Sequence, residues 1–206
     1  MSYIVKEIFK TLQGEGHYTG RTAVFCRFAG CNLWSGRKQD RSTAICKFCD
    51  TDFVGGEKYG TATDLADAVL ATWGGNRPNR FVVFTGGEPL LQLDDALITA
   101  VHAHGFAVAV ETNGTLPILD RIQWLCVSPK AGADLVVHEA DELKIVFPQE
   151  GLDPEEMRVR LPANRYSIQP MDGPNREQNT AAAIAYVLDH PWWRLSTQTH
   201  KFIGVR

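Results

Sequence analysis

Apolar residues in this chain come in short blocks of two kinds that take turns. Residues 3 to 12, YIVKEIFKTL, and 22 to 28, TAVFCRF, have the character of β-strands; in the second, Phe25 and Arg27 fall on one face and Val24, Cys26 and Phe28 on the other. Arg80 to Thr85, RFVVFT, is a continuous apolar run of the kind that parallel strands bury on both faces. Phe106 to Glu111, Trp124 to Val127, Glu142 to Phe147 and Tyr166 to Ile168 are further strand candidates. Helical patterns lie between them. Asp64 to Trp73 is one, with Thr63 as its expected cap and Gly74-Gly75 at its end. Asp94 to His104 is closed by Gly105, Pro154 opens a short helix at its first position, and a last helix runs from about Glu177 to Asp189.

Strand-helix alternation predicts a parallel sheet, and the strands end in polar clusters. Gln13-Gly14-Glu15-Gly16 follows the first, Gly86-Gly87-Glu88-Pro89 follows RFVVFT, and Thr112-Asn113-Gly114, Ser128-Pro129-Lys130 and Gln169-Pro170-Met171-Asp172 follow later ones. Polar residues gathered at the carboxyl ends of parallel strands predict a site on one rim. The chain is too short for eight βα units. The stretch between Val127 and Glu142 carries Pro129, Gly132 and little periodicity, so one crossover helix is expected to be missing. The expected fold is α/β: a curved, incomplete barrel of about six mostly parallel strands.

With 206 residues, 44% of them hydrophobic, the chain can bury one core, and residues 1 to 206 are expected to form a single domain. A net charge of -3 and a pI near 6.1 argue against nucleic acid or an anionic membrane as the main partner. No apolar run is long enough for a membrane span and MSYIVKEIFK is no signal peptide, so a cytoplasmic location is expected. Thiols stay reduced there, and an odd count of five cysteines suits metal binding better than disulfides.

Fourteen residues separate Cys31 from Cys46, and two separate Cys46 from Cys49. The C-x-x-C pair can turn two thiolates toward one centre from a single tight loop, and Cys31 can close on the same point across a longer arm. A structural zinc site wants four ligands, and so does a fully protein-ligated cubane cluster. Three thiolates leave one metal corner open, where a small molecule can bind. The bland alternatives are a zinc site completed by Cys26 or His17, or three unconnected buried thiols.

Other residues carry weaker signals. Gln13 and Glu15, bracketed by Gly14 and Gly16, offer an amide and a carboxylate to a flat ring with a row of N–H donors, or they form an ordinary glycine turn. Arg27 is a surface cation or a fork for a carboxylate. Asp50, Thr51 and Asp52 suit a hard cation such as Mg²⁺, or act as caps. Arg37, Lys38 and Arg41 fit a solvated face better than a site. His102, His104, His138, His190 and His200 have no ligand-spaced partner, and none is given a role.

The cysteine loop, with Phe48 directly before Cys49, resembles the cluster loop of the radical S-adenosylmethionine (SAM) enzymes, in which three thiolates hold a [4Fe-4S] cluster and SAM chelates the fourth iron. G-G-E-P at a strand end resembles the motif by which those enzymes grip the methionyl part of SAM. The gap of fourteen residues is expanded relative to the superfamily pattern, and with Cys49-Asp50-Thr51 behind it the loop resembles one branch, the 7-carboxy-7-deazaguanine synthase family. That resemblance implies a modified (βα)6-type radical SAM barrel. It implies one electron delivered by a donor such as flavodoxin or ferredoxin, and a 5'-deoxyadenosyl radical that starts contraction of 6-carboxy-5,6,7,8-tetrahydropterin to 7-carboxy-7-deazaguanine. Ammonia is lost, and the product feeds queuosine and other 7-deazapurines. Cys31, Cys46 and Cys49 would hold the cluster and Thr51 a Mg²⁺ ion. Lys47, Phe48, Asp50, Gly86, Gly87, Glu88, Ser128, Pro129, Lys130, Gln169, Pro170, Met171 and Asp172 would line the SAM pocket. Leu12, Gln13, Gly14, Glu15, Arg27 and Thr85 would bind substrate, and the enzyme would be a homodimer. Two rivals are a glycyl-radical activating enzyme, also of this superfamily, and a non-catalytic iron-sulfur or zinc binding module.

Overall fold

The structure is a computed structural model that describes residues 2–75 and 78–206. One sheet of nine strands organises it: β1 (Tyr3–Leu12), β2 (Thr22–Phe28), β3 (Glu57–Tyr59), β4 (Phe81–Gly86), β5 (Ala107–Thr112), β6 (Trp124–Val127), β7 (Ala140–Phe147), β8 (Ala163–Pro170) and β9 (Arg194–Leu195), in the order β3-β1-β2-β4-β5-β6-β7-β8-β9. From β2 to β9 every neighbour is parallel, whereas β1 runs antiparallel to β2 and β3 antiparallel to β1. The sheet does not close on itself. The six-strand expectation corresponds to the parallel series β2, β4, β5, β6, β7 and β8. Residues 3 to 12, also expected as a strand, form β1; the two edge strands with no sequence candidate, β3 and β9, are three and two residues long, too short to show a period.

The helices are α1 (Ala62–Trp73), α2 (Asp95–Ala103), α3 (Pro154–Arg160), α4 (Arg176–Asp189) and α5 (Thr199–Ile203). In α1 the cap is Thr61 rather than Thr63: its hydroxyl accepts from the Asp64 N–H at 3.1 Å and the Asp64 carboxylate accepts from the Thr61 N–H at 2.9 Å. That capping box satisfies two orphan donors at once, which a cap at Thr63 could not match. Leu65, Ala66, Val69 and Trp73 form the buried stripe of α1, and Leu97, Ile98 and Val101 that of α2. The expected helix-free crossover between β6 and β7 is observed, and residues 113–123 between β5 and β6 lack a helix as well.

Strand alternation divides the sheet into two chemically different faces. Val24, Cys26, Phe28, Val82, Phe84, Val108, Val110, Leu143 and Ile145 join the main core with α1 and α2. The opposite face carries two layers. In the lower one, Phe25 pairs in register with Val83, Val83 with Ala109 and Ala109 with Trp124, forming an apolar floor. One pleat higher the in-register residues turn polar: Arg27 beside Thr85, Glu111 beside Cys126, and Lys144 beside Ser167. The switch from apolar to polar along a single strand face marks where packing ends and a site begins.

Candidate active site

A cavity of about 620 Å³ lies over that polar layer. It is large enough for a nucleoside-sized cofactor and a second small molecule, since ligand pockets span about 300 to 1,000 Å³. Of the cluster, SAM, magnesium and substrate residues that the resemblance implies, all but Lys47, Glu88 and Pro129 line it. Lys47 is exposed. Glu88 is fully buried beneath the rim, and its carboxylate accepts from Leu90 N–H at 3.0 Å, the Thr112 hydroxyl at 2.8 Å and Asn113 N–H at 2.8 Å. It braces the ends of β4 and β5, and its side chain does not line the cavity. Pro129 is buried behind Ser128 and Lys130, and Gln149 pins that turn by accepting from Ala131 N–H at 2.8 Å.

Cys31, Cys46 and Cys49 share one wall of the cavity. A hydrogen bond from Cys46 draws the Cys49 thiol below its ordinary pKa and pushes Cys46 up. Among the described residues no three His, Cys, Asp or Glu side chains close on a single-ion site. Three thiols around one open space suit a larger group, and a cubane cluster is of that size. Cys26 is packed in the core and the His17 ring stacks on Trp124, 4.9 Å between centroids, so neither reaches the thiols to complete a zinc site. Gly87 supplies the cradle: a Cβ there would run into the Gly30 carbonyl and come within 2.7 Å of the Cys31 Cβ.

The long gap between Cys31 and Cys46 wraps around Trp34. Trp34 is buried, 8% exposed, its ring edge-on to Phe53 at 5.5 Å, and the Arg41 guanidinium lies 3.8 Å from its centroid. Arg41 also donates to the Lys47 carbonyl at 2.7 Å and the Cys49 carbonyl at 3.0 Å. Arg41 is therefore a clamp on the cysteine loop and not part of a solvated face, which corrects the expectation. Arg37 and Lys38 are both exposed, as expected, and their side chains make no such contact among the described residues.

The Asp50-Thr51-Asp52 oxygens do not converge. Asp52 pairs with Lys6 at 2.8 Å and accepts from Val54 N–H, while Asp50 accepts from Lys201 at 2.8 Å and Gln198 at 3.2 Å. All three line the cavity, but both carboxylates are held in ion pairs, whereas the Thr51 hydroxyl is in none and lies beside the Cys49 sulfur, to which it hydrogen-bonds. Arg27 binds Glu7 through Nε at 2.9 Å, and its two-nitrogen edge makes no hydrogen bond among the described residues. That edge has the geometry to grip a carboxylate.

Several residues of the site carry no sequence signal. Lys144 sits mid-strand and Glu111 next to the end of β5, where a charge looks like an exposed position, and only the register places them facing inward. The tail is the other surprise. Thr199 N–H donates to the Gly14 carbonyl at 2.9 Å, His200 packs on Gly14, and Lys201 bridges Asp50 and Asp172 at 2.8 and 2.6 Å. Arg206 pairs with Glu7. His200, given no role above, lines the cavity. The other histidines do not: His102 and His104 meet Gln123 and Asp67 on the surface.

No family model matches the chain. It is 59% identical to the 7-carboxy-7-deazaguanine synthase of Bradyrhizobium diazoefficiens and 60% identical to that of Bordetella pertussis, in each case across the full length of both chains. Among solved structures it is similar to QueE from Escherichia coli, with a TM-score of 0.74 and 26% identity, over 97% of this chain and 95% of that one.

Proposed function

The chain belongs to the 7-carboxy-7-deazaguanine synthase family of radical SAM enzymes, and from that membership we propose how its cavity divides the work. The reaction converts 6-carboxy-5,6,7,8-tetrahydropterin to 7-carboxy-7-deazaguanine with loss of ammonia, on the route to queuosine. Family membership sets aside both rivals, the glycyl-radical activating enzyme and the non-catalytic binding module.

Cys31, Cys46 and Cys49 would hold the [4Fe-4S] cluster. Gly86 and Gly87, with Phe48, Asp50, Ser128, Lys130 and Gln169 to Asp172, would hold SAM. Bound there, cluster and SAM supply hydrogen-atom abstraction. The remaining task is positioning. Leu12 to Glu15 would take the donor edge of the pterin, Arg27 its carboxylate and Thr85 the ring between them. Thr51 would meet a Mg²⁺ ion that also binds the substrate carboxylate, because a lone hydroxyl suffices only when substrate and water complete the octahedron. A flavodoxin or ferredoxin would supply the electron, two copies would form a homodimer, and residues 1 to 206 would act as one domain in the cytoplasm. Among the described residues no helix is long and apolar enough to cross a membrane.

Support comes above all from one observation: the three cysteines, the strand-end glycines and the polar layer around Arg27, Thr85 and Glu15 all face a single cavity. Anaerobically reconstituted protein should cleave SAM when given dithionite, and Cys31→Ala, Cys46→Ala and Cys49→Ala should each abolish that cleavage. Cys26→Ala should retain it. Loss of the cluster in Cys26→Ala with retention in Cys31→Ala would refute the ligand set.

A further inference from the structure

We propose that Lys144 is a positioning residue of this site: its ammonium, bridging Glu15 and Glu111 on the cavity wall, aims both carboxylates at the N–H edge of the bound heterocycle and selects for that edge. The proposal rests on the cavity being a pterin site. Lys144 stands on β7 with its side chain 5% exposed, its Nζ 2.5 Å from Glu15 Oε2 and 3.3 Å from Glu111 Oε2. The outer oxygens are held as well. Glu15 Oε1 accepts from Gln198 at 3.0 Å, Glu111 Oε1 accepts from Gln13 at 2.9 Å, and the Gln13 amide oxygen accepts from Glu15 N–H at 3.1 Å. Gln169 is a further side-chain donor to Glu15. A carboxylate offers about four lone-pair sites, so three donors on Glu15 and two on Glu111 still leave acceptor capacity for a ligand.

The backbone under Glu15 is fixed from both sides. A Cβ on Gly14 would strike the His200 ring, and one on Gly16, at φ +65°, would meet the Glu142 carboxylate at 2.6 Å. Glu15 therefore has a fixed root, and Lys144 fixes its tip. Two carboxylates and one ammonium leave one net negative charge facing the ligand. That charge suits a 2-amino heterocycle with adjacent N–H groups and repels a 2-oxo ring, whose lone pairs would point at Glu15.

Charged or titratable groups surround Lys144 on every side. Glu15 comes from the β1–β2 turn, Glu111 from β5, Cys126 from β6 and Lys130 from the turn after β6, while Glu142 is on β7 itself. The Glu142 carboxylate is already committed to His17 N–H and the Ser167 hydroxyl. Burial pushes the Lys144 ammonium down, but Glu111 and Glu15 outweigh it and keep it charged. Burial likewise pushes the Glu15 carboxyl up, and Lys144 with the amide donors outweighs that and holds it below the carboxylate range. Without Lys144 only the Gln198 and Gln169 amides offset the burial of Glu15, so its carboxyl shifts up and takes up a proton more readily as pH falls.

The test measures binding of the tetrahydropterin and of its 2-oxo analogue to SAM-loaded protein, without an electron donor, at about pH 6 to 8. Wild type should bind the 2-amino compound with little pH dependence and discriminate strongly against the 2-oxo one. Lys144→Met should bind at least about tenfold more weakly at the acid end, recover as pH rises, and lose most of that discrimination. Should Lys144→Met fail to fold, Lys144→Met/Glu111→Gln keeps the net charge and should still lose discrimination. Wild-type affinity, pH profile and discrimination in either folded variant would overturn the proposal while leaving the pterin site standing. Absence of pterin binding in wild type that binds SAM normally would take down both.

Discussion

Gly87→Ala tests the close approach on which the cofactor wall depends. Added to the backbone as it stands, the Ala Cβ would lie 2.6 Å from the Gly30 carbonyl carbon and 2.7 Å from the Cys31 Cβ. The Gly30 carbonyl oxygen would be nearer still, at 2.1 Å, and a Cβ needs at least 3.0 Å, so residues 30–31 and 87 must part by about 0.9 Å. They are not free to do so, because Glu88 N–H donates to the Gly30 carbonyl at 2.9 Å and Gly87 N–H to the Phe28 carbonyl at 3.4 Å. Overpacking of this kind costs about 1 to 3 kcal/mol, and a weakened hydrogen bond adds about 1 kcal/mol. Apo Gly87→Ala should therefore lose about 2 to 4 kcal/mol in urea unfolding at unchanged m-value. Because the displaced atom belongs to a cluster cysteine, iron bound per chain after reconstitution should also fall. Gly75→Ala is the control: among the described residues no atom lies within 4 Å of its Cβ, and its stability should change by less than about 0.5 kcal/mol. Wild-type stability with full iron content in Gly87→Ala would refute the packing on which this rests.

Three other outcomes are expected. Glu88→Ala strands the Leu90 and Asn113 N–H groups and opens a buried hole, so it should cost about 2 to 4 kcal/mol of stability while SAM affinity of the folded protein changes little; the reverse outcome would make Glu88 a ligand to SAM. Arg27→Lys keeps the charge and loses the fork, so apparent substrate affinity should fall about tenfold, and unchanged affinity in Arg27→Ala would place the substrate carboxylate elsewhere. Turnover should drop with EDTA and return with Mg²⁺ in wild type, with a weaker metal response in Thr51→Val; equal wild-type rates with and without Mg²⁺ would exclude the cation.

The cysteine spacing and strand-end glycines were legible because the chemistry forces ligands into short sequence windows. The parallel strands were legible because burial on both faces leaves unbroken apolar runs such as RFVVFT. Lys144 and Arg41 were not, because each acts across the fold: the β7 register turns Lys144 toward Glu15, and Trp34 gives Arg41 a surface to stack on. The orientation of the Glu88 side chain was not legible for a related reason. A motif names the segment that meets a cofactor without saying which of its side chains turn inward, and Glu88 turns under the rim. Nor does the sequence announce that residues 198–206 return to β1, since tails are ordinarily free.

The central claim is that this cavity holds one C–H bond of the pterin, that at C6, against the adenosyl carbon of SAM. The most direct measurement supplies substrate deuterated at C6 to reduced, reconstituted protein and follows the label by mass spectrometry. The account predicts deuterium in the 5' position of the adenosyl group alongside formation of 7-carboxy-7-deazaguanine. Product formed with no label in the adenosyl group, or SAM cleaved at the same rate with no product at all, would contradict it.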